Sequence, residues 1–207
     1  MRVKVVETKS DQLPEVEPYS IADLKPRHLF TKYTPRNRER YLQQYRSEAK
    51  RLLPALVKEE GPIHVELAYR RLNVALRLRV PSTPFNEAFG ETVQGCSEKG
   101  RIAVKGDFLW PKNVAGLKVR VPVDGVEGTF RPLEYISEEE IHRAMVLVAG
   151  HALGIGVESL FRETARLLGF KRLGSNIRAV MRGAYEVLAE EGTLLQKDGI
   201  VALAGNI

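Results

Sequence analysis

The sequence has a single cysteine, Cys96, in 207 residues, so no disulfide can close within the chain and a reducing, cytoplasmic setting is expected. Four scattered histidines, His28, His64, His142 and His151, do not make a zinc spacing with that one thiol. Long apolar runs are missing too. The best candidate, Ala144-Met-Val-Leu-Val-Ala-Gly150, falls well short of the 18 or so residues of a membrane span and reads as a buried helix. The opening residues, Met1 to Gln12, lack the apolar run of a signal peptide. No glycine-rich phosphate loop ending in Gly-Lys-Ser or Gly-Lys-Thr is present, so ATP hydrolysis by the chain unaided is not expected. Glu138, Glu139 and Glu140 invite a metal reading, but carboxylates at a helix start are explained by the dipole. The expectation is a binding module and not an enzyme, with no cofactor, no metal and no membrane partner.

What is present is charge of both signs with a basic excess. Lys and Arg number 32 against 26 Asp and Glu, a net charge of +6. That bias suggests a polyanionic partner, of which nucleic acid is the commonest. With 43% hydrophobic residues the chain can bury a core, and its length allows one large domain or two small ones.

The second possibility is favoured by an internal repeat. Residues 63–110 align with 155–202 without a gap, an offset of 92. Ile63, Val65, Glu66 and Arg70 meet Ile155, Val157, Glu158 and Arg162; Leu76, Glu98, Gly100 and Lys105 meet Leu168, Glu190, Gly192 and Lys197. The apolar pattern keeps the same register.

In the second copy, Ser137-Glu-Glu-Glu140 reads as a capping box that opens a helix running to about Ala149. Leu160, Phe161, Thr164, Leu167 and Leu168 mark one face of a second helix, which Gly169 ends. Ser175 is placed to cap a third helix with a buried stripe of Ile177, Val180, Met181, Ala184 and Leu188, closed by Gly192. Thr193–Lys197 and Ile200–Leu203 flank Asp198-Gly199, a strong hairpin signal. In the first copy, a helix from about Arg36 to Leu52 meets Pro54, which should bend or restart it. Val65–Leu76 is a second helix, and Ser82-Thr83-Pro84 starts a third. Its buried stripe is Phe85, Ala88, Phe89, Val93 and Cys96, which makes Cys96 an inert core thiol. Arg101–Lys105 and Phe108–Trp110 form a hairpin around Gly106-Asp107, with both aromatic rings expected to pack beneath it, stacking on a base being the competing reading. Three helices and a hairpin, twice over, predict an α+β fold, mainly α: two tandem winged helix-turn-helix domains at 36–112 and 137–207. Residues 113–136 form a short β-containing connector, and residues 1–35, with Pro14, Pro18 and Pro26, an extended arm.

The phrases EGPIHVELAYRRL, GDFLWP, ISEEEIHRAM and ARLLGFKRLGSNIR together resemble the uncharacterised domain at the C-terminus of large bacterial and archaeal superfamily I helicase–nuclease proteins. The resemblance covers about residues 40–203. It implies a role in DNA metabolism, in restriction, defence or repair. Neither the helicase nor the nuclease is in this chain. If the chain is complete they are separate polypeptides; if it is a fragment, they have been removed.

In a winged helix the third helix enters the major groove and the wing touches backbone. The second copy then presents Ser175, Asn176, Arg178 and Arg182, with Lys171 and Arg172 just before and Lys197 on the wing. Arg178 and Arg182 lie four apart on one face, and arginine holds phosphates or guanine edges in a fork. A merely solvated basic face is the competing reading. The first copy carries Asn86, Glu87, Glu91 and Gln94 at the corresponding surface, and carboxylates there repel phosphate. It is expected to bind protein, or to touch DNA through Lys99, Arg101, Lys105 and Lys112. The stretch Arg36–Arg51 holds six basic and two acidic residues, with Arg36, Arg38 and Arg40 at its start and Tyr41 and Tyr45 interleaved. It is either a backbone-contacting helix or an ordinary amphipathic one. His64 is expected to cap or pack, and Glu66 and Glu158 to sit at capping positions. The function expected is an accessory protein that binds double-stranded or branched DNA and docks a helicase or nuclease subunit. The alternatives are a protein–protein scaffold, a sequence-specific transcription regulator and, least supported by the residues, a minimal nuclease.

Overall fold

The computed structural model describes residues 16–30, 34–78, 82–113, 116–152 and 154–204. The fold is α+β, with about 55% of the described residues helical. Contacts divide the chain into two units, one within residues 20–115 and the other within 1–19 and 116–207.

The N-terminal unit contains α1 (Arg38–Glu60), strand Ile63–His64, α2 (Val65–Leu76), α3 (Thr83–Glu98) and the hairpin strands Ile102–Lys105 and Phe108–Pro111. Strand Val16–Pro18 is the first in the chain, so these three are β2, β3 and β4, and Val16–Pro18 is β1. The C-terminal unit contains β1, β5 (Val119–Val121), α4 (Glu138–Ala152), β6 (Ile155–Gly156), α5 (Val157–Leu167), α6 (Ser175–Glu190), β7 (Leu194–Lys197) and β8 (Ile200–Leu203).

The repeat governs the architecture. At the offset of 92, β2, α3, β3 and β4 coincide end for end with β6, α6, β7 and β8, and α2 differs from α5 by one residue. The last residues of α1 and α4, Glu60 and Ala152, also coincide. Each unit has one antiparallel three-stranded sheet, ordered β2-β4-β3 and β6-β8-β7. Even the turns correspond. Arg77 (φ +58°) and Gly169 (φ +95°) end their helices in left-handed conformations, and the amides that follow, Leu78 and Phe170, each donate to a carbonyl five residues back at 2.9 Å. Here glycine is doubly required at 169, because a Cβ would also lie 2.5 Å from Pro122 Cγ. Each unit has its own core. Tyr45, Leu53, Leu72 and Phe85 are fully buried in the first, and Met145, Leu160, Phe161 and Leu168 in the second.

Several sequence expectations need correction. α1 runs unbroken through Pro54 to Glu60. The proline removes one hydrogen bond, to the carbonyl of Lys50, but Lys50 is exposed and the flanking Leu52, Leu53, Leu56 and Val57 are buried, so packing holds the helix across the gap. The arm and the connector are not bodies of their own among the described residues. β1 pairs in parallel with β5, in the register Val16↔Val119 to Pro18↔Val121, and residues 20–30 belong with the N-terminal unit. Residues 1–15, with Pro14, lie outside the described residues.

What fastens these segments is a feature the sequence analysis did not identify. Glu48 and Glu140 occupy equivalent positions at the same offset, on α1 and α4, and both are buried. Each accepts a backbone amide from the extended segment preceding its helix, Arg27 N to Glu48 at 3.0 Å and Arg120 N to Glu140 at 2.9 Å. Glu48 also takes the Arg51 guanidinium at 2.7 Å. Glu140 takes two, Arg120 at 2.5 Å and Arg131 at 2.7 Å, and Tyr19 lies against both guanidinium groups at 5.3 and 4.6 Å. The expected capping box is therefore half formed: Ser137 Oγ accepts from Glu140 N at 3.3 Å, while the Glu140 carboxylate turns inward to the arginines. Burial works to raise the Glu140 carboxyl, but the Arg131 hydrogen bond and the two arginine charges outweigh it and hold it down to about 2.

Candidate nucleic-acid interface

α6 emerges from the turn at Gly169. Its N-cap is Gly174, in an extended conformation with φ −69° and ψ 169°, and Ser175 is the first helical residue. Ser175 therefore does not cap the helix; its position one residue inside leaves its hydroxyl exposed on the first turn. Met181, Ala184 and Leu188 are buried and Ile177 half-buried, as the apolar spacing requires. Val180, assigned to that stripe, is 37% exposed, because the core contact at this end of α6 is made by residues 177, 181 and 184. The opposite face presents Asn176, Arg178 and Arg182, all exposed, and the exposed Lys171 and Arg172 precede it.

Arg178 and Arg182 differ in their surroundings. Arg178 Nη1 donates to Glu158 Oε2 on the first turn of α5 at 2.6 Å. Among the described residues, Lys171, Arg172, Arg182 and the hairpin residue Lys197 carry no ion pair. These four are thus available to a polyanion, whereas Arg178 has a carboxylate beside it. Glu158 was placed at a capping position; the cap of α5 is Gly156, without a side-chain bond, and the carboxylate reaches across to α6. Its counterpart Glu66 differs: its backbone amide donates to the Nδ1 of the capping His64 at 3.2 Å, while its carboxylate lies 3.7 Å from Arg70. His64 also meets Phe108 edge-on.

In the N-terminal unit the proposed contacts fall in two places. Lys99, Arg101 and Lys105 follow α3 into β3 and are exposed. The Lys105 ammonium stands 4.4 Å over the ring of Trp110, which is buried, so its charge is partly engaged by the indole face. Arg36 lies in the 3-10 turn Pro35–Asn37, ahead of Arg38 and Arg40 on the first turn of α1; all three are exposed. The rest of the Arg36–Arg51 stretch does not fit a stacking surface. Tyr45 is fully buried against Phe85 and Phe30, and Tyr41 packs on Phe30. Burial pushes the Tyr45 hydroxyl well above the ordinary phenol range, with the neighbouring Tyr69 adding to it. Arg46 pairs with Glu91 at 2.9 Å, and that hydrogen bond lowers the Glu91 carboxyl. Asn86, Glu87, Glu91 and Gln94 are exposed along α3, where Gln94 donates to Glu98 at 2.9 Å. The equivalent helices of the two units thus differ in charge: α3 presents carboxylates, and α6 presents guanidinium groups.

Among the described residues, no cluster of three or more His, Cys, Asp or Glu is arranged to hold a metal ion, and no helix is long and apolar enough to cross a membrane. Cys96 is 2% exposed, and burial raises its thiol. No family model, no curated protein and no solved structure matches the chain.

Proposed function

We propose that this chain is an accessory DNA-binding module, built as two tandem winged helices, that acts in the cytoplasm alongside a helicase or nuclease and is not itself an enzyme. The observation that carries the reading is the exposed basic surface of the C-terminal unit: Lys171, Arg172, Arg182 and Lys197 stand without ion pairs among the described residues around a helix that follows another by a short turn and precedes a hairpin. That element order, with a sheet that includes a short strand between the first two helices, supports a winged-helix reading, in which the third helix would read the major groove and the hairpin would follow the backbone. Lysine and arginine side chains at such a surface neutralise phosphates and displace counterions.

The N-terminal unit has a different part. The carboxylates of α3 oppose phosphate, which favours a protein partner there and DNA contact through Arg36, Arg38, Arg40, Lys99 and Arg101. The resemblance to helicase–nuclease C-terminal domains supplies the kind of partner. Fluorescence-anisotropy titration of the full chain with duplex, forked and single-stranded DNA tests the reading. Binding at micromolar concentration or tighter, weakening steeply with salt, is the expected result. Absence of binding to all three at low salt would leave a protein–protein scaffold, which the acidic α3 face favours, as the better reading.

A further inference from the structure

The Arg178–Glu158 pair is unlike the other basic groups of its surface, and the difference indicates what it would recognise. A phosphate is an anion, and a carboxylate 2.6 Å from the Arg178 guanidinium both satisfies one donor and repels a second anion. The free Lys171, Arg172 and Arg182 serve phosphates better. A base edge is neutral and carries both acceptors and donors. In the major groove a G·C pair offers guanine O6 and N7 as acceptors and cytosine N4 as a donor. With Nη1 turned to Glu158 Oε2, Arg178 keeps N–H groups for guanine, and Glu158 keeps Oε1 as an acceptor for the cytosine amino group. Both side chains are about half exposed, at 45% and 51%, so the pair is reachable. It also joins the first turn of α5 to the first turns of α6, which restrains where the guanidinium lies more than in an arginine with no such bond.

We infer that the Arg178–Glu158 pair reads one G·C base pair in the major groove of duplex DNA, with Arg178 on guanine and Glu158 positioning it and accepting from cytosine. This rests on the DNA-binding reading above. In the first repeat the positions equivalent to Arg178 and Arg182 are Asn86 and Gly90, so the reader belongs to the C-terminal unit alone.

The test is a selection from duplexes with a random core, made with the wild-type chain and with Arg178→Ala and Glu158→Gln. The wild type enriches a G·C pair at one position, and replacing that guanine by 7-deazaguanine, which lacks N7, weakens its binding roughly ten- to hundred-fold. Arg178→Ala binds DNA without that preference and is insensitive to the modified base. Glu158→Gln binds all duplexes more tightly, having lost a negative charge, and discriminates less. The inference is overturned if the wild type binds duplex DNA with no G·C preference, or if Arg178→Ala keeps it, or if 7-deazaguanine changes nothing. A wild-type chain that binds no duplex overturns the DNA-binding reading as well. Because the modified-base comparison uses the unaltered protein, a folding defect in either variant cannot mask the answer.

Discussion

Replacing Glu140 by Gln should make the C-terminal unit less stable at neutral pH and less sensitive to acid. The carboxylate is fully buried between two arginines that are each 4% exposed, and its pKa is held down from 4.5 to about 2. Because the folded value lies below the unfolded one, the unfolded chain takes up the proton first as the pH falls. The stabilisation is whole above about pH 4.5 and is lost as the pH drops through about 2. At about 1.4 kcal/mol for each tenfold change in proton affinity, the difference amounts to about 3 kcal/mol. The glutamine also leaves Arg120 and Arg131 buried without a counter-charge, a defect that costs about 3 to 5 kcal/mol at pH 7. Urea unfolding of wild type and Glu140→Gln at intervals from pH 7 to pH 2.5, followed by circular dichroism, measures both quantities. The variant should start lower, and its stability should fall by about 3 kcal/mol less than that of the wild type across the acid range. Parallel curves for the two proteins would show that Glu140 is not the acid-sensitive group and would refute the electrostatic reasoning.

Other perturbations separate backbone effects from packing. Gly169→Ala puts a Cβ on a residue at φ +95° and 2.5 Å from Pro122, and should lower unfolding free energy by at least about 2 kcal/mol. Gly183→Ala, mid-helix with open space around it, should instead raise it by about 0.5 to 1 kcal/mol; both are read from denaturant midpoints. Pro54→Ala restores the missing hydrogen bond of α1 and should stabilise by about 1 to 3 kcal/mol, and a drop in stability would mean that the ring packs better than a methyl group. Cys96 should resist an aromatic disulfide reagent in the native protein and react once in denaturant; rapid native labelling would contradict its burial.

The sequence was most legible where local chemistry and the repeat agree. The helix limits 65–76, the hairpin at Asp198-Gly199 and the left-handed turn at Gly169 follow from periodicity, turn residues and glycine. It was least legible where a side chain serves a distant segment. Glu140 has the spacing of a capping box, and nothing local distinguishes that role from pairing with Arg120 and Arg131, which lie 20 and 9 residues away. A signal did exist: carried upstream, the same offset that aligns 63–110 pairs Glu48 with Glu140, an identity beyond the aligned span. Tyr41 and Tyr45 invited a stacking role because they alternate with arginines, but four residues between them is also helical spacing, and the core claimed that face. On the basic surface of the C-terminal unit, exposure of Asn176, Arg178 and Arg182 followed from the apolar stripe of α6. The Arg178–Glu158 bond joins two helices and could be read only from their packing.

The most direct test of the account is the salt dependence of duplex DNA binding, compared between the wild-type chain and Lys171→Ala/Arg172→Ala/Arg182→Ala. Removing three phosphate-neutralising side chains should reduce the slope of log affinity against log salt by up to about 3, at about 0.9 for each phosphate, and weaken binding across all sequences. An unchanged slope, or a wild-type chain that binds no duplex at low salt, would contradict the claim that this surface of the C-terminal unit holds DNA.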